Sequence, residues 1–256
     1  MPEGDPAAHT SRAGNNIPEP KVAALFDSIA PVYDKMNTIM TAGLDGRWRR
    51  AAVRAACLSP GDTVVDVACG TGKLTAALAS VVGPLGKAVG VDLAPAMIEE
   101  ARRLYGEMVQ VEFRLGNALA LPLEESSFDA ATIAFGLRNL ASFEDGFREL
   151  ARVVRPGGRV VCLELSVPRP RLMGRLYEAV FNIMAPTIGS FFRRGAAYAY
   201  LPHTLVGFPD PVELAATMRR VGLVNVSVHR LALGAVALHV GTVPAPESFA
   251  PAARQG

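Results

Sequence analysis

The stretch Val64-Val65-Asp66-Val67-Ala68-Cys69-Gly70-Thr71-Gly72 constrains this chain more than any other. A β-branched run carrying an acid breaks into a Gly-x-Gly turn. A second apolar run, Ala88-Val89-Gly90-Val91, then ends on Asp92. Short apolar runs of this kind read as buried parallel strands. Glycines at the end of one strand and an acid at the end of its neighbour place a nucleotide-type ligand across both ends.

Two phosphate-binding readings fail on spacing. The dinucleotide fingerprint needs a third glycine three residues after the second, so that helix and strand pack closely, and that position is Thr75. A phosphate loop needs glycine five residues before Gly72 and Ser or Thr after the lysine, and those positions are Val67 and Leu74. S-adenosylmethionine carries a sulfonium and an amino group but no phosphate. Asp66 suits that cation and would repel a pyrophosphate. Gly70 and Gly72 let the backbone turn and approach a ligand closely. Asp92 is placed to accept the ribose hydroxyls.

Bulk properties set wide bounds. A chain of 256 residues, half of them apolar, holds one α/β domain with additions. A formal charge of +2 gives no case for nucleic acid. Cys57, Cys69 and Cys162 are scattered, which suggests reduced thiols in a cytoplasmic setting. The four histidines are equally dispersed, so no metal site is expected. Residues 1–20 and 244–256 read as flexible tails, the first without the apolar stretch of a signal peptide.

Between the tails, strand and helix patterns alternate as in a parallel sheet covered on both faces. The expected strands are 63–68, 88–93, 111–115, 129–135 and 158–165, with helices over 74–82, 94–105 and 143–154. After residue 165 the alternation stops, and residues 167–212 suggest a helical cover over the strand ends. A helix at 211–221 and two runs, 226–233 and 235–243, then finish the domain as an antiparallel pair. The expected whole is a single domain over 21–243: N-terminal helices (21–60), a cofactor-binding core (61–166), the cover, and the last helix with its strand pair (213–243). This is an α/β, doubly wound Rossmann-like sheet of seven strands. Its ligands bind outside the carboxyl ends of the strands. Asn117, at the end of the third strand, could there meet an adenine edge.

Several segments resemble the ubiquinone/menaquinone biosynthesis C-methyltransferase family. They are Phe26-Asp27-Ser28-Ile29-Ala30-Pro31-Val32-Tyr33-Asp34-Lys35-Met36-Asn37, with Gly43 and Trp48-Arg49-Arg50 after it, Phe135-Gly136-Leu137-Arg138-Asn139, and the stretch from Arg152 through Pro156-Gly157-Gly158 to Glu164-Leu165-Ser166. Val236-Ala237-Leu238-His239 matches again, so the resemblance covers roughly residues 22–241. It implies methyl transfer from S-adenosylmethionine to a ring carbon of a prenylated quinol. It places cofactor contacts on Thr71, Asp92, Asn117 and Ala118, with Leu93 beside them. Ala134 stands where the family often has Ser.

The resemblance also makes Arg138, paired with Asn139, the candidate for stabilising a quinol phenolate. An arginine stays protonated, so it serves as an electrostatic partner and not as a base. The competing reading pairs Arg138 with a carboxylate such as Asp27 or Glu164. Tyr33 is a candidate for closing the site, and His239 and Tyr200 fall on the substrate side. The cover is Met- and Phe-rich with an arginine rim over 169–194. That surface fits a prenyl tail and peripheral contact with an anionic bilayer, or equally a buried lid or a homodimer interface.

Departures from the family pattern include Lys73 for a common Asp, Asp45 for a frequent His, Tyr198-Ala199-Tyr200-Leu201-Pro202-His203-Thr204 in the cover, and Ala232 for Thr. They leave open a relative that methylates another apolar acceptor in secondary metabolism, and, further off, a binding protein that has kept the fold alone.

Overall fold

The computed structural model describes residues 14–15, 17–166, 168 and 208–245. Tyr200, the arginine-rimmed stretch 169–194 and nearly all of the expected cover lie outside those residues. Within them the elements are α1 (Glu19–Met40), α2 (Asp45–Ala56), β1 (Thr63–Val67), α3 (Lys73–Val82), β2 (Lys87–Asp92), α4 (Pro95–Tyr105), β3 (Val111–Leu115), β4 (Phe128–Ala134), α5 (Phe143–Val153), β5 (Val154–Leu165), β6 (Val224–Leu231) and β7 (Val236–Thr242). One further helix, α6 (Pro211–Arg220), precedes β6.

The seven strands form one sheet in the order β3-β2-β1-β4-β5-β7-β6. β1 pairs parallel with β2 and β4, while β7 runs antiparallel between β5 and β6. The order reverses between β1 and β4, so the strand ends there open into the crevice where such sheets bind ligands. The expected seven-stranded, doubly wound sheet is therefore what forms.

Each sheet face buries its own apolar set, because side chains alternate along a strand. Val65, Val67, Ile133 and Cys162 pack with Phe147, Leu150 and Met218 on the side of α5 and α6. Val64, Ala130, Val161 and Leu163 pack with Trp48, Leu74 and Leu78 on the side of α2 and α3. Local signals set the helix ends. Ser142 caps α5 by accepting the Asp145 N–H at 3.1 Å. Asp210 and Glu213 form a reciprocal capping box on α6, with Pro211 in its first turn.

Two boundaries differ from the sequence expectation. β5 begins at Val154, because the backbone crosses the Pro156-Gly157 bulge without leaving the sheet, and Gly157 N–H donates to Val243 O at 2.8 Å. The chain is also anchored before residue 21: Asn15 N–H donates to Leu140 O at 2.7 Å, and α1 starts at Glu19 and runs through Pro31.

Candidate active site

A cleft of about 710 Å³, counted to its open mouth, lies over the carboxyl ends of β1 to β4. Its described lining carries two charged residues, Glu19 and Asp92, and no lysine or arginine. An acid-lined cleft without a basic group favours a cationic ligand and disfavours a phosphate.

Asp92 ties the floor together. Its Oδ2 accepts the Gly70 N–H at 2.8 Å and its Oδ1 the Ala94 N–H at 2.9 Å. Burial pushes its carboxyl above the ordinary range, and the bonds from Ala94 and Gly70 pull the other way. The Leu93 N–H bonds the same carboxylate, which still leaves it acceptor capacity toward the cleft. Gly70 takes φ +55°, and a Cβ there would stand 3.6 Å from the Tyr33 ring. Tyr33 in turn meets Phe26 edge-on at 6.1 Å. Leu93, Asn117, Ala118, Ala134, Tyr33 and Asn139 all border the same cleft.

Other expected site residues lie behind its wall. Asp66 is 1% exposed and is taken by the Thr75 hydroxyl (2.7 Å) and the Thr132 hydroxyl (2.8 Å). Burial raises its carboxyl to about 6. It alternates to the α3 face of β1, away from the cleft. Thr71 donates its hydroxyl to Asp34 at 2.8 Å and points to α1. Gly72 is needed for close approach: at φ +82° a Cβ would sit 2.7 Å from the Phe113 ring. The departure Lys73 pairs with Asp34 at 3.5 Å, so it too serves the attachment of α1.

Arg138 is likewise held by protein partners. It is 5% exposed, forms a buried ion pair with Glu164 (1% exposed), and donates from Nη1 to Phe135 O at 2.9 Å. The Arg138 backbone N–H and the Leu165 N–H also donate to Glu164, at 3.2 and 2.8 Å. The pair fastens the 3₁₀ turn Leu137–Asn139 to the end of β5 and is not part of the described lining. Its partner is Glu164, not Asp27. His239 stands on β7 at 1% exposure, with Nε2–H donating to Pro211 O at 2.9 Å. Burial lowers its pKa. It clamps α6 to the sheet and is not among the described residues lining the cleft.

Helix α1 contributes most of what motif reading missed. Glu19, Asp27 and Asp34 are spaced eight and seven residues apart, about two helical turns each, so they share one face. Glu19 Oε2 accepts from Asn117 Nδ2 at 2.7 Å. Asp27 accepts the Ala96 N–H at 2.8 Å, capping α4, whose own N-cap Ala94 has no capping side chain. Asp34 holds Thr71 and Lys73. One acid thus reaches each of the loops after β1, β2 and β3. The heptad-like spacing was present in the sequence, but nothing local said what the acids would touch.

Two strained residues were equally hidden. Ala68 (φ +53°) and Phe135 (φ +60°) adopt left-handed backbone at the ends of β1 and β4, and both line the cleft. Left-handed geometry in residues other than glycine costs about 1 kcal/mol and gathers at functional sites. Phe135 is braced by Trp48 at 6.3 Å and by the Arg49 guanidinium, 5.3 Å from its ring centre. Among the described residues no group of His, Cys, Asp and Glu could hold a metal ion, and no helix is long and apolar enough to cross a membrane.

Residues 15–243 match the family model described as the ubiE/COQ5 methyltransferase family. A demethylmenaquinone methyltransferase of Desulfitobacterium hafniense (strain Y51) is 41% identical over 223 residues, covering 86% of this chain and 88% of that protein. The ubiquinone/menaquinone biosynthesis C-methyltransferase UbiE of Pseudomonas savastanoi pv. phaseolicola (strain 1448A / Race 6) is 37% identical over 251 residues, covering 94% and 98%. Among solved structures, a SAM dependent methyltransferase from Aquifex aeolicus superimposes with TM-score 0.57 at 17% identity, covering 76% of this chain and 89% of that one. The [4+2]-cyclase SpnF superimposes with TM-score 0.61, also at 17% identity, covering 92% and 100%. The structural likenesses establish the fold alone, which is shared by proteins with different chemistry.

Proposed function

Since the chain belongs to the ubiE/COQ5 methyltransferase family and is thus an S-adenosylmethionine-dependent methyltransferase, we propose that its acceptor is a ring carbon of a prenylated quinol of the demethylmenaquinol type. What supports this reading is an acid-lined cleft in a chain that spans nearly the full length of relatives named for quinone methylation.

When bound, S-adenosylmethionine supplies a methyl group already activated by its sulfonium, so the protein's part is alignment and the exclusion of water. Asp92 is the residue suited to hold the ribose hydroxyls, with Gly70, Leu93, Asn117, Ala118 and Ala134 forming the cradle around the donor. The donor-site assignment fits the chemistry of this cleft: among the described residues carboxylates line it and no basic group does, and Gly70 brings backbone to its wall. Helix α1 lines the cleft with Val22, Phe26 and Tyr33 and shields that side from water.

The quinol must lose a hydroxyl proton for its ring carbon to become nucleophilic. Tyr33 and Asn139 are the polar side chains we place nearest that event, since both border the cleft and Arg138 is not part of its described lining. Arg138 acts through the turn it holds. The Met- and Phe-rich sequence 169–194 is the stretch we assign to a prenyl tail. Peripheral contact with a bilayer through that region remains part of this proposal, as does pairing of two copies.

Purified protein given labelled S-adenosylmethionine and demethylmenaquinol should transfer label to the quinol. Turnover only with a nonquinone acceptor would remove the quinol assignment. Donor binding with no turnover of any quinol would remove catalysis itself. Asp92→Ala should weaken S-adenosylhomocysteine binding by about 1–3 kcal/mol, the scale of hydrogen bonds to a charged group.

A further inference from the structure

We infer that Glu19 is a specificity-determining residue of the donor site, reading the purine's 6-amino group together with Asn117. This rests on the reading above that the cleft takes S-adenosylmethionine with its base near the end of β3.

The two residues come from opposite walls of the cleft, α1 and the turn after β3, and meet at 2.7 Å across 98 positions of sequence. The orientation of the Asn117 amide is settled locally. Its Oδ1 accepts the Leu119 N–H at 2.8 Å, inside its own turn, so Nδ2 is the side that faces Glu19. An amide nitrogen has two protons, and the bond to Glu19 uses one. Asn117 therefore offers the cleft a donor. The acceptor at this end is the Glu19 carboxylate, whose lone pairs exceed the single bond it makes to Asn117.

A donor beside an acceptor-only carboxylate is the complement of a 6-aminopurine edge, where an N–H donor sits next to the N1 acceptor. A 6-oxopurine presents the reverse: an oxygen acceptor beside an N1–H donor. Against Glu19 that oxygen would be an acceptor facing an acceptor. Pairing a site built for a hydrogen bond with a ligand that cannot make it leaves a polar group unsatisfied, which is the strong form of discrimination. Glu19 also attaches α1 to the turn after β3, and an attachment alone would affect both bases equally. That difference makes the inference testable.

The measurement is a calorimetric titration of S-adenosylhomocysteine and of its 6-oxo analogue, S-inosylhomocysteine, into the parent protein and into Glu19→Gln and Glu19→Ala. Glu19→Gln keeps an acceptor oxygen for Asn117 and so preserves the attachment. Thermal melts of each variant verify folding. The parent should prefer the 6-amino ligand by roughly 10- to 100-fold. Glu19→Ala should bring the ratio to within a few-fold, mainly by weakening the 6-amino ligand. Glu19→Gln, whose amide can also turn its N–H₂ outward, should bind the 6-oxo ligand better than the parent does. An unchanged ratio in both variants would overturn the inference and leave the donor reading standing. So would a parent that binds the two ligands equally, or a Glu19→Ala variant that binds S-adenosylhomocysteine more tightly. Failure of the parent to bind either ligand would remove the donor reading itself.

Discussion

Replacing Glu164 with leucine removes the carboxylate that faces Arg138 at 5% exposure. The guanidinium cannot shed its charge, so the variant leaves a cation in a site closed to bulk water. Breaking a buried pair from one side costs about 3–5 kcal/mol. The upper part of that range is expected, because the Arg138 and Leu165 backbone N–H groups lose their acceptor as well. For a domain of this size the loss corresponds to a fall in melting temperature of about 6–20 °C. Urea unfolding followed by circular dichroism should show a lower midpoint at unchanged slope. The double variant Arg138→Met/Glu164→Leu removes both charges, and stability should return to within about 1–2 kcal/mol of the parent. It should bind S-adenosylhomocysteine almost normally yet turn over slowly, because the turn bearing Asn139 is no longer fastened to β5. A Glu164→Leu variant within about 1 kcal/mol of the parent would refute the account of the pair. Full turnover in the double variant would refute the positioning role.

Three further outcomes are expected. Asp66, raised from 3.8 to about 6 by burial, binds its proton more tightly in the folded state. Its contribution to stability is thus complete below pH 4 and is lost as pH rises through 6, on the order of 3 kcal/mol. Asp66→Asn should flatten the stability profile between pH 4 and 6 and leave S-adenosylhomocysteine affinity within about threefold, less than the hydrogen bond of a direct contact; a larger loss would return Asp66 to the donor site. The shift at His239 has the opposite sign: its lowered pKa favours folding above about pH 6.5 and loses that stability as pH falls through the folded value. Melts of His239→Gln should lose this acid-side slope, and catalysis should persist. Ala68→Gly should relieve the left-handed strain and gain about 0.5–1 kcal/mol in urea unfolding; a loss would show that the strain is not borne at Ala68.

The alternation of apolar runs with helical patterns was enough to place β1 to β5 and the final antiparallel pair, since a strand buried on both faces reads as a short, near-continuous apolar run. Asp92, Gly70, Leu93, Asn117, Ala118 and Ala134 were legible for a related reason: they stand at strand ends, where a doubly wound sheet opens to its ligand. Motif adjacency failed where it ignored direction. Asp66 and Thr71 are neighbours of Gly70 in sequence, yet their side chains turn to α3 and α1. Arg138 adjoins Asn139, yet one is buried against Glu164 and the other borders the cleft.

What the sequence determined by itself is the sheet, its switch point and the residues that line the cleft there, because these follow from short-range pattern and chain connectivity. What only tertiary structure decided is which polar groups spend themselves on one another. Glu164 claims Arg138, Pro211 claims His239, and the acids of α1 claim the loops after β1, β2 and β3. Buried polar groups must find partners wherever the fold brings them, and partners 26 to 98 residues away leave no trace in local sequence.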